Sequence, residues 1–306
     1  MKLINSKNAR FMFLLAFLTQ FATWCIPNQS LSYEGRIHPV TPPGKEESIS
    51  VLDEKIMISL KTKEGYRLLS MREYLIGVVQ AELPATFSLQ AMKAQAVAAR
   101  TVAIKKMMQG KELCDDPNCC QAYSPAAPVQ QALQAVEQTD GEILVYEDEL
   151  IEAVYFSCSG GMTEAAVDVW GNEVPYLRSV ASPGEEKAPH YEEKITIPLE
   201  LFRQILRLEA ESIQIEETEY TAGTGVKTIT IGGKSFTGTQ LRSLFDLRST
   251  CFDLQLDEQS VTFFCKGFGH RVGMSQYGAQ AMAESGADYQ EILAYYFNGA
   301  EIKKQS

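Results

Sequence analysis

The segment that decides the fold is YLIGVVQAELPATFSLQAMKAQAVAARTVA, which occupies residues 74–103. Four of its side chains recur at helical spacing and so fall on one face of a helix: Leu75, Val78, Val79 and Glu82. Pro84 ends this helix because proline lacks an amide donor and clashes with the preceding turn. Ser88 then caps a second helix, whose many alanines allow other elements to approach closely. The segment therefore predicts two consecutive helices with a sharp break between them.

Strand-like and helical segments flank this helix pair. Residues 49–62 and 212–233 alternate as strands do, and residues 142–161 form a longer strand-like run that contains a turn. Residues 199–210 have the spacing of an amphipathic helix, and residues 183–193 are predicted to be an exposed polar loop. No internal repeat is visible. The predicted fold class is α+β, with mixed strands, flanking helices and the helix pair near the N-terminal end of the domain.

The N-terminal segment has the composition of a targeting signal. Three basic residues and no acid precede an apolar run over residues 11–25, which is short for a membrane span. We expect residues 1–26 to be a signal peptide or an uncleaved membrane anchor. Residues 27–48 are rich in Pro and Ser and are predicted to be a linker, and residues 49–306 to be the functional domain. The domain is thus predicted to lie outside the cytoplasm, in the periplasm or cell-envelope space.

Composition limits the partners of the domain. The chain has 306 residues, enough for one large domain or two modest ones. Its net charge of -11 argues against nucleic acid as a partner, because such binding depends on neutralising phosphates. Seven cysteines are present, and pairs of them can oxidise outside the cytoplasm. Cys251 and Cys265 flank a predicted strand pair and are candidates for a bridge, although spacing alone does not define the pairing.

Glu82 is the strongest candidate for chemistry. It lies on the apolar face of its helix and in the last turn. Burial disfavours a carboxylate, and the negative end of the helix dipole disfavours it further. Both effects raise the pKa of the side chain, as a general acid near neutral pH requires. A surface glutamate without a function is the alternative that position alone leaves open.

A glycine-rich stretch, residues 269–278, is the second candidate. Three glycines in ten residues imply backbone conformations that other residues rarely adopt. His270 within it is a candidate proton carrier or hydrogen-bond donor to a sugar. Ser275 and Gln276 are predicted to begin a helix, where backbone N–H groups point outward toward a ligand. A purely structural histidine is the alternative.

Residues 157–164, SCSGGMTE, are the third candidate. Hydroxyl side chains and two glycines at the end of a strand suit a turn that faces substrate, so Ser157, Ser159 and Thr163 are candidate contacts. Ser159 as a nucleophile is disfavoured because the chain has no G-x-S-x-G elbow.

The fourth candidate is the cysteine group Cys114, Cys119 and Cys120. The Cys-x5-Cys spacing next to two aspartates is compatible with a zinc site. It is equally compatible with a disulfide or with a reactive thiol pair.

Together, these segments resemble the stage II sporulation protein D family, which includes amidase enhancers and lytic transglycosylases. The resemblance covers nearly all of the chain from Tyr74 to Ile302. It is carried by the following stretches: residues 74–103, CDDPNCCQAY at 114–123, YFSCSGGMTEAAVDVWGNEVPYLRSV at 155–180, TGTQLRSLFDLRSTCFDL at 237–254 and GFGHRVGMSQYGAQAMAESG at 267–286.

The resemblance implies a site. The family's catalytic acid lies in an Ala-Glu-x-Pro motif, which here is residues 81–84 and again selects Glu82. It further implies a substrate cleft lined by Gln95, Arg100, Ser157, Ser159, Thr163, Tyr176, Arg178 and His270, to which we add Ser275 and Gln276. Arg178 stands where a lysine is common in the family. It keeps the charge but changes the geometry.

The resemblance also bears on the cysteines. Some family members hold zinc through one His and two Cys in the loop after the long helix. Cys114 and Cys120 match the two Cys, but Met108 stands at the His position and is a poor ligand. Cys119 is the candidate substitute. Such a zinc ion would be structural, and the chemistry of Glu82 requires no cofactor.

The implied function is that of a peptidoglycan lytic transglycosylase, acting in sporulation or cell division. It would cleave the MurNAc–GlcNAc bond, and we expect it to prefer denuded strands, which an amidase has stripped of stem peptides. Two alternatives remain: a non-catalytic glycan-binding amidase enhancer, and a hydrolase that uses water as its nucleophile. An N-acetylmuramoyl-L-alanine amidase is a candidate protein partner.

Overall fold

A computed structural model describes residues 52–117, 119–209 and 213–305. The segment predicted to be a signal peptide or anchor and the predicted linker lie outside these residues. Within them, no helix is long and apolar enough to cross a membrane.

The helices of the described part confirm the predicted helix pair and most of the other helical segments. They are α1 (Leu52–Lys55), α2 (Met71–Glu82), α3 (Leu89–Met108), α4 (Gln130–Gln138), α5 (Ala166–Trp170), α6 (Leu199–Leu206), α7 (Gly238–Phe245), α8 (Gln276–Glu284) and α9 (Tyr289–Tyr296).

The strands of the described part are short and mostly antiparallel, and with the helices they confirm the α+β class. They are β1 (Met57–Thr62), β2 (Gly65–Ser70), β3 (Leu113–Cys114), β4 (Glu142–Tyr146), β5 (Glu149–Leu150), β6 (Tyr155–Phe156), β7 (Glu192–Pro198), β8 (Ile215–Tyr220), β9 (Val226–Ile231), β10 (Lys234–Thr237), β11 (Phe252–Leu256), β12 (Ser260–Lys266), β13 (Met274–Ser275) and β14 (Glu301–Lys304). They form small sheets with the orders β2-β1-β3, β10-β9-β8, β11-β12-β7, β13-β6 and β14-β4-β5.

The α2–α3 corner organises the larger of two cores. Ser70 and Glu73 form a reciprocal capping box that starts α2, and the helix ends at Glu82 because Leu83 is extended before Pro84. The Ser88 hydroxyl accepts the N–H of Ala91 and starts α3. The alanines of α3 are buried, so α2, α4, α8, α9 and β4 all pack against this one helix. We call this part of the molecule the main lobe.

A second core lies within residues 192–266, which we call the second lobe. Strand β12 pairs with β11 and β7, which places Phe263 opposite Leu254 and Ile195. The ring of Phe263 lies near those of Phe202 from α6 and Phe245 from α7, with centroids 6.2 and 5.1 Å away. The core is thus built from aromatic side chains of both helices and the β12 sheet. Cys251 and Cys265 are buried free thiols here, so the suggested bridge is not formed.

A buried ion pair joins the second lobe to the main lobe. Arg271 and Glu164, both in the main lobe, lie 3.0 Å apart with side chains 0% and 1% exposed. Arg271 also donates to the carbonyl of Gly223, and the N–H of Gly225 donates to Glu164. A Cβ at Gly225 would lie 2.3 Å from the Glu164 carboxylate, so only glycine allows this approach. The pair therefore holds the loop at 221–225 of the second lobe in place.

A second buried ion pair lies inside the main lobe. Arg100 from α3 pairs with Asp53 from α1 at 2.6 Å, and the side chains are 0% and 1% exposed. Arg100 also donates to the carbonyl of Glu142 at the start of β4. The segment at 49–62 was predicted to be one strand. Its helix α1 brings Asp53 to Arg100, and only β1 is a strand.

We predict that Asp53→Asn lowers the free energy of unfolding by about 3–5 kcal/mol, because it leaves the Arg100 charge buried without a counter-charge. Urea unfolding measures this loss. The control is Glu112→Gln, which breaks the exposed Lys61–Glu112 pair and should cost less than about 1 kcal/mol. Equal small losses in both variants would contradict the structural role of the Arg100–Asp53 pair.

Candidate active site

Glu82, the last residue of α2, sits between donors from two distant parts of the chain. The N–H of Ala122 donates to one carboxylate oxygen at 2.8 Å, and the Gln276 amide donates to the other at 3.1 Å. The Tyr155 hydroxyl lies 3.5 Å from the first oxygen. The carboxylate is therefore oriented from several sides, as a group that exchanges protons with a bound substrate must be.

The surroundings of Glu82 favour its protonated form. Burial raises the pKa of the carboxyl above its ordinary value, while the hydrogen bonds from Ala122, Gln276 and Tyr155 lower it. Burial outweighs these bonds, so the net shift of the pKa is upward. This is the direction that the position of Glu82 in the sequence predicts.

A chain of hydrogen bonds runs from Glu82 through Tyr155 and Gln121 to Tyr74. The Tyr155 hydroxyl donates to Gln121 at 2.7 Å, and the Gln121 amide donates to the Tyr74 hydroxyl at 2.9 Å. Burial, followed by the nearby Glu82, holds the pKa of Tyr155 well above its ordinary value, so the phenol stays neutral. Tyr155 therefore keeps its one hydroxyl proton, which lies between Gln121 at 2.7 Å and Glu82 at 3.5 Å, and places no negative charge beside Glu82.

Gly77 in α2 allows the loop that carries Ala122 to approach. A Cβ at Gly77 would lie 2.3 Å from the Tyr123 ring and 2.9 Å from the Ser124 carbonyl. The N–H of Ser124 donates to the Gly77 carbonyl at 3.0 Å. Only a glycine permits this contact, which places the Ala122 N–H against Glu82.

Glu82 lies in a groove made of two adjoining depressions that share Glu82, Ser157, Phe268 and Gln276 in their walls. One has a volume of about 620 Å³ and extends over Phe156, His270 and Arg242. The other has a volume of about 390 Å³ and extends over Pro84, His190 and Tyr277. The groove therefore continues on both sides of the carboxylate, as a linear polymer bound across it would need.

The groove contains few charged side chains. Among the described residues that line its two depressions, Glu82 is the only carboxylate and Arg242 the only lysine or arginine. A pair of carboxylates, the usual equipment of a glycosidase, is thus missing from this lining.

The surroundings of His270 disfavour its protonated form. Burial, and then the cation of Arg242, lower the pKa of His270 to about 4, although a hydrogen bond with the Tyr155 backbone opposes the shift. Its Nδ1 accepts the N–H of Val272 at 3.1 Å. The ring packs edge-on against Phe156, with centroids 5.6 Å apart. His270 thus shapes the groove and is poorly suited to carry a proton.

The structure brings four of the predicted residues together in the groove: Glu82, Ser157, His270 and Gln276. The parallel pairing of β13 with β6 produces this arrangement, because it sets Ser275 beside Phe156 and the following Gln276 beside Glu82. Gln95 is fully buried behind this wall, next to Tyr155, and does not reach the groove surface.

Four other residues predicted to contact substrate are fully buried (0% exposed) and so cannot do so in this structure: Arg100, Ser159, Thr163 and Ser275. Arg100 is committed to Asp53. Ser159 and Ser275 both donate to the carboxylate of Glu185, which is itself 1% exposed. The predicted exposed loop at 183–193 therefore supplies a buried acceptor, and the hydroxyls hold the loop instead of facing substrate.

Thr163 and the two remaining predicted contacts, Tyr176 and Arg178, lie outside the lining of the groove. Thr163 accepts the N–H of Val180 at 2.8 Å within the main lobe. Tyr176 accepts the N–H of Glu152 at 3.0 Å and packs near Tyr146. Arg178 is exposed, and its Nε donates to the carbonyl of Pro175.

Several groups of the site escaped the sequence reasoning. The N–H of Ala122 carries no side-chain signal, and Gln121 and Tyr155 lie in otherwise apolar or loop segments. Arg242, like Gln121, Ala122 and Tyr155, lies within one of the stretches that carry the family resemblance. Its cationic side chain on a short amphipathic helix is the additional signal.

The cysteine group lies directly before Gln121 and Ala122. The three Sγ atoms of Cys114, Cys119 and Cys120 lie within 4.8 Å of one another. The separations from Cys120 are 3.2 Å to Cys114 and 3.7 Å to Cys119. A tetrahedral zinc site with Zn–S bonds of about 2.3 Å places sulfurs about 3.8 Å apart. The Cys119–Cys120 separation matches this spacing and the Cys114–Cys120 separation is shorter, so the three thiols can supply three of the four donors once Cys114 and Cys120 move apart. Met108, which stands at the position of the family's His, is 77% exposed.

Fold and groove together define an α+β protein whose extended groove has one half-buried carboxylate among its described lining residues. A family model described as "Stage II sporulation protein" matches residues 61–146. The chain is 35% identical over 279 residues to stage II sporulation protein D of Bacillus subtilis (strain 168), covering 84% of this chain and 81% of that protein. It is 30% identical over 285 residues to the amidase enhancer of the same organism, covering 74% of this chain and 40% of that protein. The chain therefore belongs to the stage II sporulation protein D family.

We predict that Gln276→Ala raises the pKa of Glu82, because it removes a donor that stabilises the carboxylate. A carbon-13 NMR titration of the glutamate carboxyls measures the pKa, with the Glu82 signal assigned by its loss in Glu82→Gln. Gln255→Ala, on an exposed position of β11, is the control and should leave the titration unchanged. An unchanged or lowered pKa in Gln276→Ala would contradict the observed contact.

Proposed function

We propose that the protein is a peptidoglycan lytic transglycosylase that cleaves the MurNAc–GlcNAc bond and leaves 1,6-anhydroMurNAc ends. The observation that carries the proposal is the single carboxylate, Glu82, in the middle of a groove that continues on both sides of it. Two-carboxylate glycosidase chemistry needs a second acid at this place, whereas a transglycosylase can act with one.

The proposed reaction uses Glu82 twice. Glu82 first gives its proton to the glycosidic oxygen, and the bond from that oxygen to C1 of MurNAc breaks. The resulting carboxylate then takes the proton of the MurNAc C6 hydroxyl, whose oxygen closes onto C1. The acid is regenerated and water is not consumed. The raised pKa suits the first step, and the donors from Ala122 and Gln276 stabilise the carboxylate that the second step requires.

The neutral groups around Glu82 support this assignment. Tyr155 and His270 do not ionise near neutral pH, so Glu82 exchanges its proton without a competing acid or base beside it. A hydrolase that activates water would require a base on the opposite face of the sugar ring. Among the described lining residues, no second carboxylate is available for that task.

The setting proposed for this activity is the cell envelope. Membership of a sporulation protein family supports a role in cell-wall remodelling during sporulation, with division as the related alternative. The basic and apolar N-terminal segment supports export, through a signal peptide or a retained anchor. The proposed substrates are denuded strands, which a partner amidase would supply.

The second candidate is a glycan-binding enhancer without activity of its own. The relative named amidase enhancer favours it, because that protein shares 30% identity with this chain. A pure binder needs the groove but does not need a titrating Glu82. Replacing Glu82 therefore distinguishes the two functions, because only the enzyme requires its proton.

We predict that the wild type converts denuded strands into fragments with 1,6-anhydro ends and that Glu82→Gln yields none. The variant keeps the shape of the side chain but cannot exchange the proton. Mass spectrometry of the soluble products makes the comparison, and hydrolysis would give fragments heavier by one water. Strand binding by both proteins without any fragments would contradict the enzyme and favour the enhancer.

We further propose that the cysteine group holds a structural zinc ion through Cys114, Cys119 and Cys120. When bound, zinc would supply only a cross-link. The chain's own contribution is to anchor the loop that presents Gln121 and Ala122 to Tyr155 and Glu82. Chemistry at Glu82 requires no metal.

We predict that Cys119→Ser lowers the zinc content of the purified protein and that adding Met108→His restores it, because histidine supplies the ligand type that Met108 lacks. Elemental analysis after gel filtration measures zinc, and thermal unfolding with and without a chelator measures its structural effect. A zinc-free wild type whose melting is indifferent to the chelator would show instead that the three thiols act alone or form a disulfide.

A further inference from the structure

Arg242 brings a fixed positive charge into the groove from the second lobe. It lines the same depression as Glu82 and His270, while the other depression contains no lysine or arginine among its described lining residues. The cation therefore lies on one side of the carboxylate only. Its influence on His270, whose pKa it lowers, is consistent with this proximity.

The backbone and core of the second lobe hold Arg242 in place. Its neighbours Leu241 and Phe245 on α7 are 0% and 8% exposed in the aromatic core. A reciprocal capping box of Thr237 and Gln240 starts the helix. The Nε of Arg242 donates to the carbonyl of Leu247 at 3.3 Å. Arg242 is thus anchored through Nε, and the residue lines the groove.

The guanidinium of Arg242 makes no direct ion pair with an acid of the described chain, although Asp246, four residues later, lies near enough to interact with its charge. The two other arginines predicted to bind substrate are less suitable. Arg100 is paired with Asp53, and Arg178 lies outside the lining of the groove. A half-buried arginine whose guanidinium forms no direct ion pair can still bind an anionic ligand.

We propose that Arg242 binds the lactyl carboxylate of a muramic acid residue and thereby sets the register of the glycan strand across Glu82. The proposal rests on the proposed function, since it names the chemical group of the glycan strand that the groove recognises. In a denuded strand only every second sugar carries a carboxylate. A cation at a fixed position relative to Glu82 therefore distinguishes the two kinds of glycosidic bond, which otherwise alternate along the strand.

Electrostatics make the recognition of the muramic carboxylate selective. The protein has a net charge of -11 and a denuded strand is polyanionic, so the overall field opposes binding. A local arginine–carboxylate contact offsets that repulsion only when a muramic carboxylate reaches Arg242. Strands shifted by one sugar, or strands whose carboxyl is masked by a stem peptide, lose this contact.

The test measures binding of two strand preparations to the Glu82→Gln protein, in which cleavage is blocked. One is a denuded strand; the other is the same strand after its lactyl carboxyls have been reduced to alcohols through carbodiimide and borohydride. We expect the native strand to bind on the order of tenfold more tightly at low salt, with the preference shrinking as salt screens the contact. Adding Arg242→Gln should abolish the preference and leave the affinity for the reduced strand unchanged.

Two further variants keep the test sharp. Arg67→Gln removes an exposed arginine of β2 and should preserve the preference, which separates a specific contact from a change in net charge. Arg242→Lys keeps the charge without the planar fork and should retain part of the preference. Circular dichroism and thermal unfolding confirm that each variant folds.

The outcomes separate this inference from the proposed activity. Equal affinity for the two strands, or a preference that survives Arg242→Gln, would overturn the role of Arg242 even if wild type produces anhydro ends. Loss of the preference in Arg242→Gln would support it even if no anhydro ends are found. Failure of both strands to bind would overturn it as well.

Discussion

The half-buried carboxylate of Glu82 depends on two hydrogen bonds that join its helix end to remote segments. The Ala122 donor comes from a loop 40 residues later in the chain, and the Gln276 donor from a helix 194 residues later. Neither contact forms unless α3, the loop that follows the cysteine group and the glycine-rich stretch are all folded. The carboxylate is thus assembled by the complete main lobe, although α2 alone supplies it. This also explains why glycine is required at position 77, where the loop and the helix touch.

The second lobe reaches the groove through a separate constraint. Arg271 and Glu164 are buried together, and their hydrogen bonds to residues 221–225 fix the position of the second lobe relative to the main lobe. A buried ion pair adds little stability compared with an apolar contact, but it demands a single geometry. That geometry places α7, and with it Arg242, beside the depression of His270. The lobe that the proposed chemistry does not need is therefore the one that brings positive charge to the groove.

The sequence predicts some of these features and not others. The helix pair, its capping box and the upward shift of the Glu82 pKa follow from spacing, caps and burial of one helix face, which are local properties. Arg100 and Ser159 were misplaced because their partners, Asp53 and Glu185, lie 47 and 26 residues away. A polar residue in a shared motif looks the same whether it binds a ligand or satisfies a buried acid. Only the tertiary contacts distinguish these two roles.

The distribution of charge in the groove follows from the same reasoning. A proton shared between Glu82 and a substrate is easily diverted by another titrating group, and the structure surrounds it with a neutral phenol and a neutral imidazole. Arg242 helps to keep His270 neutral, because its cation opposes protonation of the ring. If the same guanidinium also binds a carboxylate of the strand, its field at His270 weakens when substrate arrives. Burial, the larger cause of the lowered His270 pKa, increases at the same moment as the strand covers the groove. The imidazole is therefore disfavoured as a cation in both states, and under the proposed function Glu82 would be the one described group of the lining that exchanges a proton.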